Sequence, residues 1–146
     1  MSEIEINGRK YRIGRIAAMR QLYIMKRIAP PMVSVLGVAT IKSVAEGDEV
    51  DVLGLIDRME PFLMAIQRLP DADMEYVTDN CLAVVDRAVE NDRGWQKVTM
   101  YPDELDPMLI LRLTFEALRE NLAGFFAAFQ QMYPNLLATQ EETSPQ

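Results

Sequence analysis

Residues 106–132, DPMLILRLTFEALRENLAGFFAAFQQM, decide the fold because they predict one long amphipathic helix. Asp106 is a suitable N-cap, Pro107 is a suitable first helical residue, and Pro134 ends the pattern. From Met108 to Met132 this helix would measure about 37 Å, so it must pack along most of a small domain. Apolar residues recur at spacings of three and four, which is a heptad stripe. Its members are Met108, Leu111, Phe115, Leu118, Leu122, Phe125, Phe129 and Met132.

The stripe widens toward the end of this helix. Adjacent helical residues point about 100° apart, so Phe125 and Phe126 cannot share one narrow seam. Phe126 aligns instead with Leu122 and Phe129. One interpretation is that the helix end is buried on two sides. The other is that it presents an apolar patch to a partner protein. Under the second interpretation, the partner-binding residues are Phe125, Phe126, Phe129, Met132 and Tyr133.

The beginning of the chain predicts a β-hairpin. Residues 4–13, IEINGRKYRI, have Asn7-Gly8 at their centre, the preferred loop of a type I′ turn. An isolated hairpin is marginally stable in water, so this one must pack against helices. With this turn Ile4 opposes Tyr11, and the apolar side chains Ile4, Ile6, Tyr11 and Ile13 share one face.

Residues 15–29, RIAAMRQLYIMKRIA, predict a helix that ends at Pro30-Pro31. The apolar side of this helix is expected to hold Ile16, Met19, Leu22 and Tyr23. Residues 32–45 are read as a helix, with a buried strand as the alternative. Residues 46–51, EGDEVD, predict a solvated loop.

The next segment, residues 51–69, predicts one helix or two short helices broken near Pro61. Asp71 and Asp73 then mark a helix start, as candidate caps or as first-turn acids. Residues 82–101 are open to two interpretations. One is a second hairpin around Asn91-Asp92-Arg93-Gly94, and the other is a helix that runs on through Val89.

Together these elements predict a predominantly α, α+β fold: a helical domain with an N-terminal β-hairpin and a candidate second small hairpin. Residues 1–137 are expected to form a single helix-rich domain. The remaining residues, 138–146, are polar and are expected to be a disordered tail.

The composition argues against an enzyme. The chain contains no His, the residue most used as a general base and as a metal ligand. The single Cys81 therefore has no His to activate it and is expected to be a buried core thiol. Residues 71–82 resemble a calcium loop at first, but Tyr76 stands where glycine is required. No glycine-rich phosphate loop is present in the sequence. We expect no catalytic residue, no cofactor and no metal site.

Charge and hydropathy bear on partners and location. The net charge is −7, yet residues 1–42 hold eight basic and only two acidic side chains. The overall acidity argues against a dedicated nucleic-acid-binding protein. The N-terminus lacks the apolar core of a signal peptide, and no apolar run is long enough to span a membrane. We therefore expect a soluble, cytoplasmic protein with no membrane partner.

Four segments together resemble one protein family. They are INGRKYRIGRIAAMRQLYIMKRIAP (6–30), CLAVVDRAV (81–89), GWQKV (94–98) and ENLAGFF (120–126). Their order is similar to that in the tail assembly chaperones of long-tailed bacteriophages. The resemblance extends from about residue 4 to residue 134.

The resemblance implies a phage or prophage protein that acts in the bacterial cytoplasm during virion morphogenesis. It would bind and solubilise the tape measure protein, help to recruit tail-tube subunits and then leave the particle. Members are often made in a short and a frameshift-extended form, and this chain would be the short one. The alternatives are a structural tail or head subunit that stays in the particle, and a small regulatory binding protein. The heptad stripe is also compatible with a homo-oligomer.

Overall fold

The computed structural model describes residues 2–45, 59–89 and 94–132, and within them all side chains except those of 33, 35–45 and 124–132. Four strands and four α-helices follow in chain order. They are β1 (Ser2–Ile6), β2 (Arg9–Ile13), α1 (Ala18–Ala45), α2 (Met59–Ile66), α3 (Asp71–Leu82), β3 (Val85–Ala88), β4 (Trp95–Lys97) and α4 (Pro107–Met132). Two 3-10 turns, Val98–Met100 and Pro102–Glu104, connect β4 to α4. The predicted loop at 46–51 and the predicted tail at 138–146 lie outside the described residues.

The N-terminal hairpin is confirmed. Asn7 and Gly8 have φ values of 53° and 80°, as a type I′ turn requires. Ile4 pairs with Tyr11 and Ile6 pairs with Arg9, the register expected from the turn. Tyr11 and Ile13 are buried. This face of the hairpin is therefore part of the core.

The second hairpin is also confirmed, and the alternative of a helix running through Val89 is wrong. Strands β3 and β4 pair antiparallel, and β3 pairs with β2, so both hairpins form one sheet in the order β1-β2-β3-β4. The outer face of the sheet carries alternating charges. Arg12 Nη2 lies 2.9 Å from Asp86 Oδ2, and Lys97 Nζ lies 3.4 Å from Asp86 Oδ1. These pairs let the outer face remain in water.

Two predictions for α1 are wrong. Pro30-Pro31 does not end the helix, which continues to Ala45. A proline inside a helix costs about 3 kcal/mol, so packing must compensate. Ile28 before the prolines and Met32 after them are both buried in one core cluster with Phe62. Burying a side chain of this size contributes about 1.5–3 kcal/mol. The continued helix carries Met32 into that cluster.

The expected apolar side of α1 is also wrong for three of its four members. Ile16 is buried, but Met19, Leu22 and Tyr23 are exposed. The core is contacted by the opposite side of the helix, through Ile24, Met25, Ile28 and Met32. The sequence is apolar on both sides of this helix, and only the packing shows which side is buried.

Helices α2 and α3 correspond to the predicted segments. Pro61 lies in the first turn of the described helix α2, where a missing N–H costs nothing. Residues 51–58, on which the choice between one helix and two depends, lie outside the described residues. Asp71 and Asp73 lie in the first turn of α3, as expected. Their predicted capping role is wrong, because Pro70 is the N-cap residue and no side chain caps this end.

Helix α4 begins as predicted, since the backbone N–H of Leu109 donates to Asp106 Oδ1 at 2.8 Å. Its middle is not a simple stripe. Every residue from 113 to 118 is buried, so this part of the helix is enclosed on all sides. The first stripe member, Met108, is 63% exposed. The heptad pattern therefore indicated a buried helix correctly but did not indicate its exposed start.

Asn121 joins α4 to the connection between β2 and α1. Its Oδ1 accepts from the backbone N–H of Ile16 at 2.8 Å, and its Nδ2 donates to the carbonyl of Gly14 at 3.1 Å. Gly14 also donates its N–H to the carbonyl of Val84 at 2.8 Å. A Cβ at Gly14 would lie 3.0 Å from that same oxygen, so the close approach favours glycine. This junction positions the sheet against α1 and α4.

Candidate functional site: partner-binding surfaces

The predicted partner-binding residues lie at the C-terminal end of α4. The positions of Phe125, Phe126, Phe129 and Met132 are on its last helical turns, and their side chains are outside the described residues. Tyr133 follows the helix and is itself outside them. The structure does show that the α4 backbone is helical as far as Met132. Positions 125 and 129 therefore continue the row of Leu118 and Leu122.

A narrow apolar groove lies between α1, α2 and α4, beside Leu118 and Leu122. Its volume is about 40 Å³, close to the share of a single water molecule. Phe62 and Phe115 meet in it with ring centroids 5.5 Å apart and ring planes inclined at 57°. Leu122 and Ala123 bring the lining to within one turn of Phe125. The lining residues are Ile28, Met32, Phe62, Phe115, Leu118, Arg119, Leu122 and Ala123.

One charged side chain stands at this groove. The Arg119 guanidinium lies 5.8 Å from the centroid of Phe115 and 2.8 Å from Glu116 Oε2. Glu116 is buried and is also paired with Arg112 at 3.1 Å. Because the acid has two basic partners, its burial is compensated. The groove therefore has an apolar floor and a basic rim.

A larger cleft of about 400 Å³ lies beside the hairpin turn, with a mixed polar and apolar lining. Glu104 in its wall lies 2.6 Å from Arg9 Nη1 and 3.2 Å from Arg87 Nε. Arg87 also stacks on the Tyr101 ring at 4.0 Å. These ion pairs connect the sheet to the segment before α4. We interpret this cleft as structural.

An exposed apolar surface on α1 was missed by the sequence analysis. Met19, Leu22 and Tyr23 are 56%, 49% and 46% exposed. They lie at spacings of three and one and are followed by the exposed Lys26, so they share one side of the helix. The signal in the sequence was the second apolar row, Ile24, Met25 and Ile28, on the other side. When a helix with two apolar rows packs against a single core, one of the two rows stays exposed.

The one thiol of the chain matches its predicted role. Cys81 is fully buried in the core, and burial raises its pKa to about 12. A thiol in this state is a poor nucleophile. No group of three or more potential metal-binding side chains occurs in the described part of the chain. Within the same residues, none of the helices has the length and apolar content needed to cross a membrane.

Comparison with known proteins identifies the family. Residues 7–134 match the model of the family described as "Phage tail assembly chaperone protein, TAC". Searches of curated proteins and of solved structures gave no match. The matched range begins at the turn of the first hairpin and includes β2, the second hairpin, the described helices and the C-terminal end of α4. The resemblance seen in the four sequence segments is thus confirmed, and the chain belongs to the phage tail assembly chaperone family.

Proposed function

We propose that this chain is a non-enzymatic chaperone that binds a helical segment of the tape measure protein, keeps it soluble and helps to recruit tail-tube subunits. The family match over residues 7–134 supports a role in tail assembly. A tape measure protein is a long amphipathic rod that aggregates unless its apolar stripe is covered. A chaperone for it needs an apolar surface that binds a helix reversibly.

The observation that carries the proposed binding site is the continuation of the α4 backbone beyond Leu122, the last of its described residues that is buried. Leu118 and Leu122 are buried beside the apolar groove, and the helix continues ten residues farther to Met132. The apolar row continues with it. We place the client on this extension, in contact with Phe125, Phe126, Phe129, Met132 and Tyr133. The groove is too small to receive a side chain, so its apolar lining would form the edge of the client's contact surface.

The energetics suit a temporary complex. A buried Phe side chain contributes about 1.5–3 kcal/mol. Several of them outweigh the entropy lost on association without forming an obligate interface. Arg119 at the rim of the groove would favour an acidic residue next to the client's apolar stripe.

Co-expression of this chain with a phage tape measure protein tests the proposal. The wild-type chain should keep the client soluble and elute with it. The double variant Phe126→Ser, Tyr133→Ser should lose both effects and keep its stability within about 0.5 kcal/mol. Met108→Ser is the matched control because it removes an exposed apolar side chain from the other end of α4. It should behave as the wild type.

Two results would contradict this proposal. One is a double variant that unfolds several kcal/mol more easily and still binds the client, because the aromatic residues would then belong to the core. The other is the presence of this chain in purified phage particles at the stoichiometry of a tail subunit. That result would make the chain a structural component of the particle.

A further inference from the structure

The exposed side of α1 has the character of a binding surface in its own right. Met19, Leu22, Tyr23 and Lys26 follow the spacing i, i+3, i+4 and i+7, so they form a single row. The centre of its apolar part lies about 160° around the helix from the buried residues Ile24, Met25 and Ile28, at about 100° per residue. We call Met19, Leu22, Tyr23 and Lys26 the outer row.

Positive charge surrounds the outer row. Arg15, Arg20 and Lys26 are exposed, and within the described residues none of them has a carboxylate partner. Arg20 contacts only the neutral amide of Asn80, at 2.7 Å. In contrast, the neighbouring Arg27 pairs with Asp73 at 3.1 Å and stacks on Tyr76 at 3.8 Å.

The absence of a carboxylate partner for these three basic residues, within the described part of the chain, contrasts with the acidic composition of the whole chain. The whole sequence has 22 acidic and 15 basic residues, and the basic cluster lies in residues 1–42, which hold eight basic and two acidic residues. These three basic residues lie next to the apolar side chains of Met19, Leu22 and Tyr23, which are exposed and do not belong to the core cluster. Apolar side chains in a basic surround complement an apolar stripe flanked by acids.

We propose that the outer row is a second docking surface, which binds an amphipathic helix of a partner protein whose apolar stripe is flanked by Asp and Glu. Leu22 and Tyr23 would pack between the partner's apolar side chains. Lys26, Arg20 and Arg15 would pair with its acids. This surface is separate from the client site proposed at the end of α4, and neither proposal depends on the other.

Charge decides between this partner and the other occupants. A second copy docked on the same row would bring the two sets of three cations together, which is unfavourable. An anionic lipid surface would approach α3, which packs beside α1 and exposes Asp71, Glu75 and Asp79 at successive turns. The negative charges of these acids would repel an anionic membrane and would also repel nucleic acid. A single helix covers a narrower strip than a membrane surface and therefore meets fewer of these acids.

The test uses the full chain and two synthetic peptides of about three heptads, the length of an ordinary helix contact. Both carry the same Leu stripe, one flanked by Glu and the other by Lys. Fluorescence anisotropy should show at least tenfold tighter binding of the Glu-flanked peptide at about 0.01 M ionic strength, and a smaller preference at about 0.15 M.

Variants on the outer row should change this binding in defined ways. Leu22→Ser, Tyr23→Ser should weaken it about tenfold, as expected for central apolar contacts. Lys26→Glu should reduce the preference for the Glu-flanked peptide, because Arg15 and Arg20 remain and the net charge of the three positions falls from +3 to +1. The matched controls are Met100→Ser, an exposed apolar site elsewhere, and Lys10→Glu, on the outer face of the sheet. Both should bind as the wild type, and so should Phe126→Ser, Tyr133→Ser.

Three outcomes would overturn the proposal. Equal affinity for the two peptides would show that charge does not select the partner. Self-association in sedimentation that is abolished by Leu22→Ser, Tyr23→Ser would assign the outer row to a second copy. Binding to vesicles of equal parts phosphatidylcholine and phosphatidylglycerol that is lost in Lys26→Glu would assign it to a lipid surface.

Discussion

Asn121 is the side chain on which the packing of sheet, α1 and α4 most depends. It accepts from Ile16 N–H at 2.8 Å and donates to the carbonyls of Gly14 and Ala117 at 3.1 and 2.9 Å. Ile16 is only 1% exposed, so its backbone N–H is poorly placed to bond water once the acceptor is lost. In Asn121→Ala the buried N–H would be left without a partner. That loss costs about 1–3 kcal/mol.

The side-chain hydrogen bonds to the carbonyls of Gly14 and Ala117 contribute less to stability than the bond to the Ile16 N–H. Ala117 O is also the ordinary helical acceptor for residue 121, so the side-chain bond to it is an addition. Gly14 O would lose its Asn121 donor at a half-buried position, which adds about 0.5–1 kcal/mol. We therefore expect Asn121→Ala to lower the free energy of unfolding by about 3 kcal/mol. For a domain of this size the melting temperature falls about 3 °C per kcal/mol, or about 10 °C in all.

Urea denaturation followed by circular dichroism measures this loss, and amide hydrogen exchange locates it. The Ile16 amide should lose protection more than its neighbours do. Asn121→Asp keeps the acceptor but places a carboxylate against two carbonyl oxygens, so it should not restore stability. Glu120→Ala, an exposed neighbour, is the control and should change stability by less than about 0.5 kcal/mol. An Asn121→Ala protein as stable as that control would refute the reasoning.

Three further predictions concern single core positions. Gly14→Ala should lower the free energy of unfolding by about 1–3 kcal/mol, because the new Cβ would lie 3.0 Å from the backbone oxygen of Val84; an unchanged urea midpoint would contradict this. Thr114→Val should raise it by up to about 1 kcal/mol, because the fully buried Thr114 Oγ1 has no described hydrogen-bond partner; a lower midpoint would show that the hydroxyl is bonded. Burial raises the pKa of Cys81 from 9.0 to about 12, so the folded chain holds the thiol proton more tightly than the unfolded chain does. The stability linked to this proton is complete below pH 9 and is lost as pH rises toward 12. The alkaline loss should be smaller in Cys81→Ala, and the folded wild type should not react with a thiol reagent at neutral pH.

Local sequence signals predicted the elements that depend on local chemistry. The Asn7-Gly8 turn and the Asp106-Pro107 helix start were predicted correctly because each is set by adjacent residues. The joining of two hairpins into one sheet was not predicted. It depends on pairing between residues 11–13 and 85–87. A pattern of neighbouring residues does not predict pairing between strands so far apart in the sequence.

The errors in α1 have one physical origin. Pro30-Pro31 is a strong local stop signal, and Met19, Leu22 and Tyr23 form a plausible apolar row. Both inferences were overruled by tertiary packing, which buries Ile28 and Met32 and leaves the other row in solvent. A sequence with two apolar rows does not reveal which one faces the core. The same ambiguity explains why the outer row was not proposed as a binding surface from sequence.

Hydrogen–deuterium exchange of this chain, free and bound to the tape measure protein, tests the central claim most directly. We predict that binding protects the amides of residues 124–133 and of the groove around Ile28 and Met32. Amides near Met19 to Tyr23 should not gain protection from the client, since that surface is assigned to another partner. A stable complex in which residues 124–133 exchange as fast as in the free chain would contradict the proposed client site.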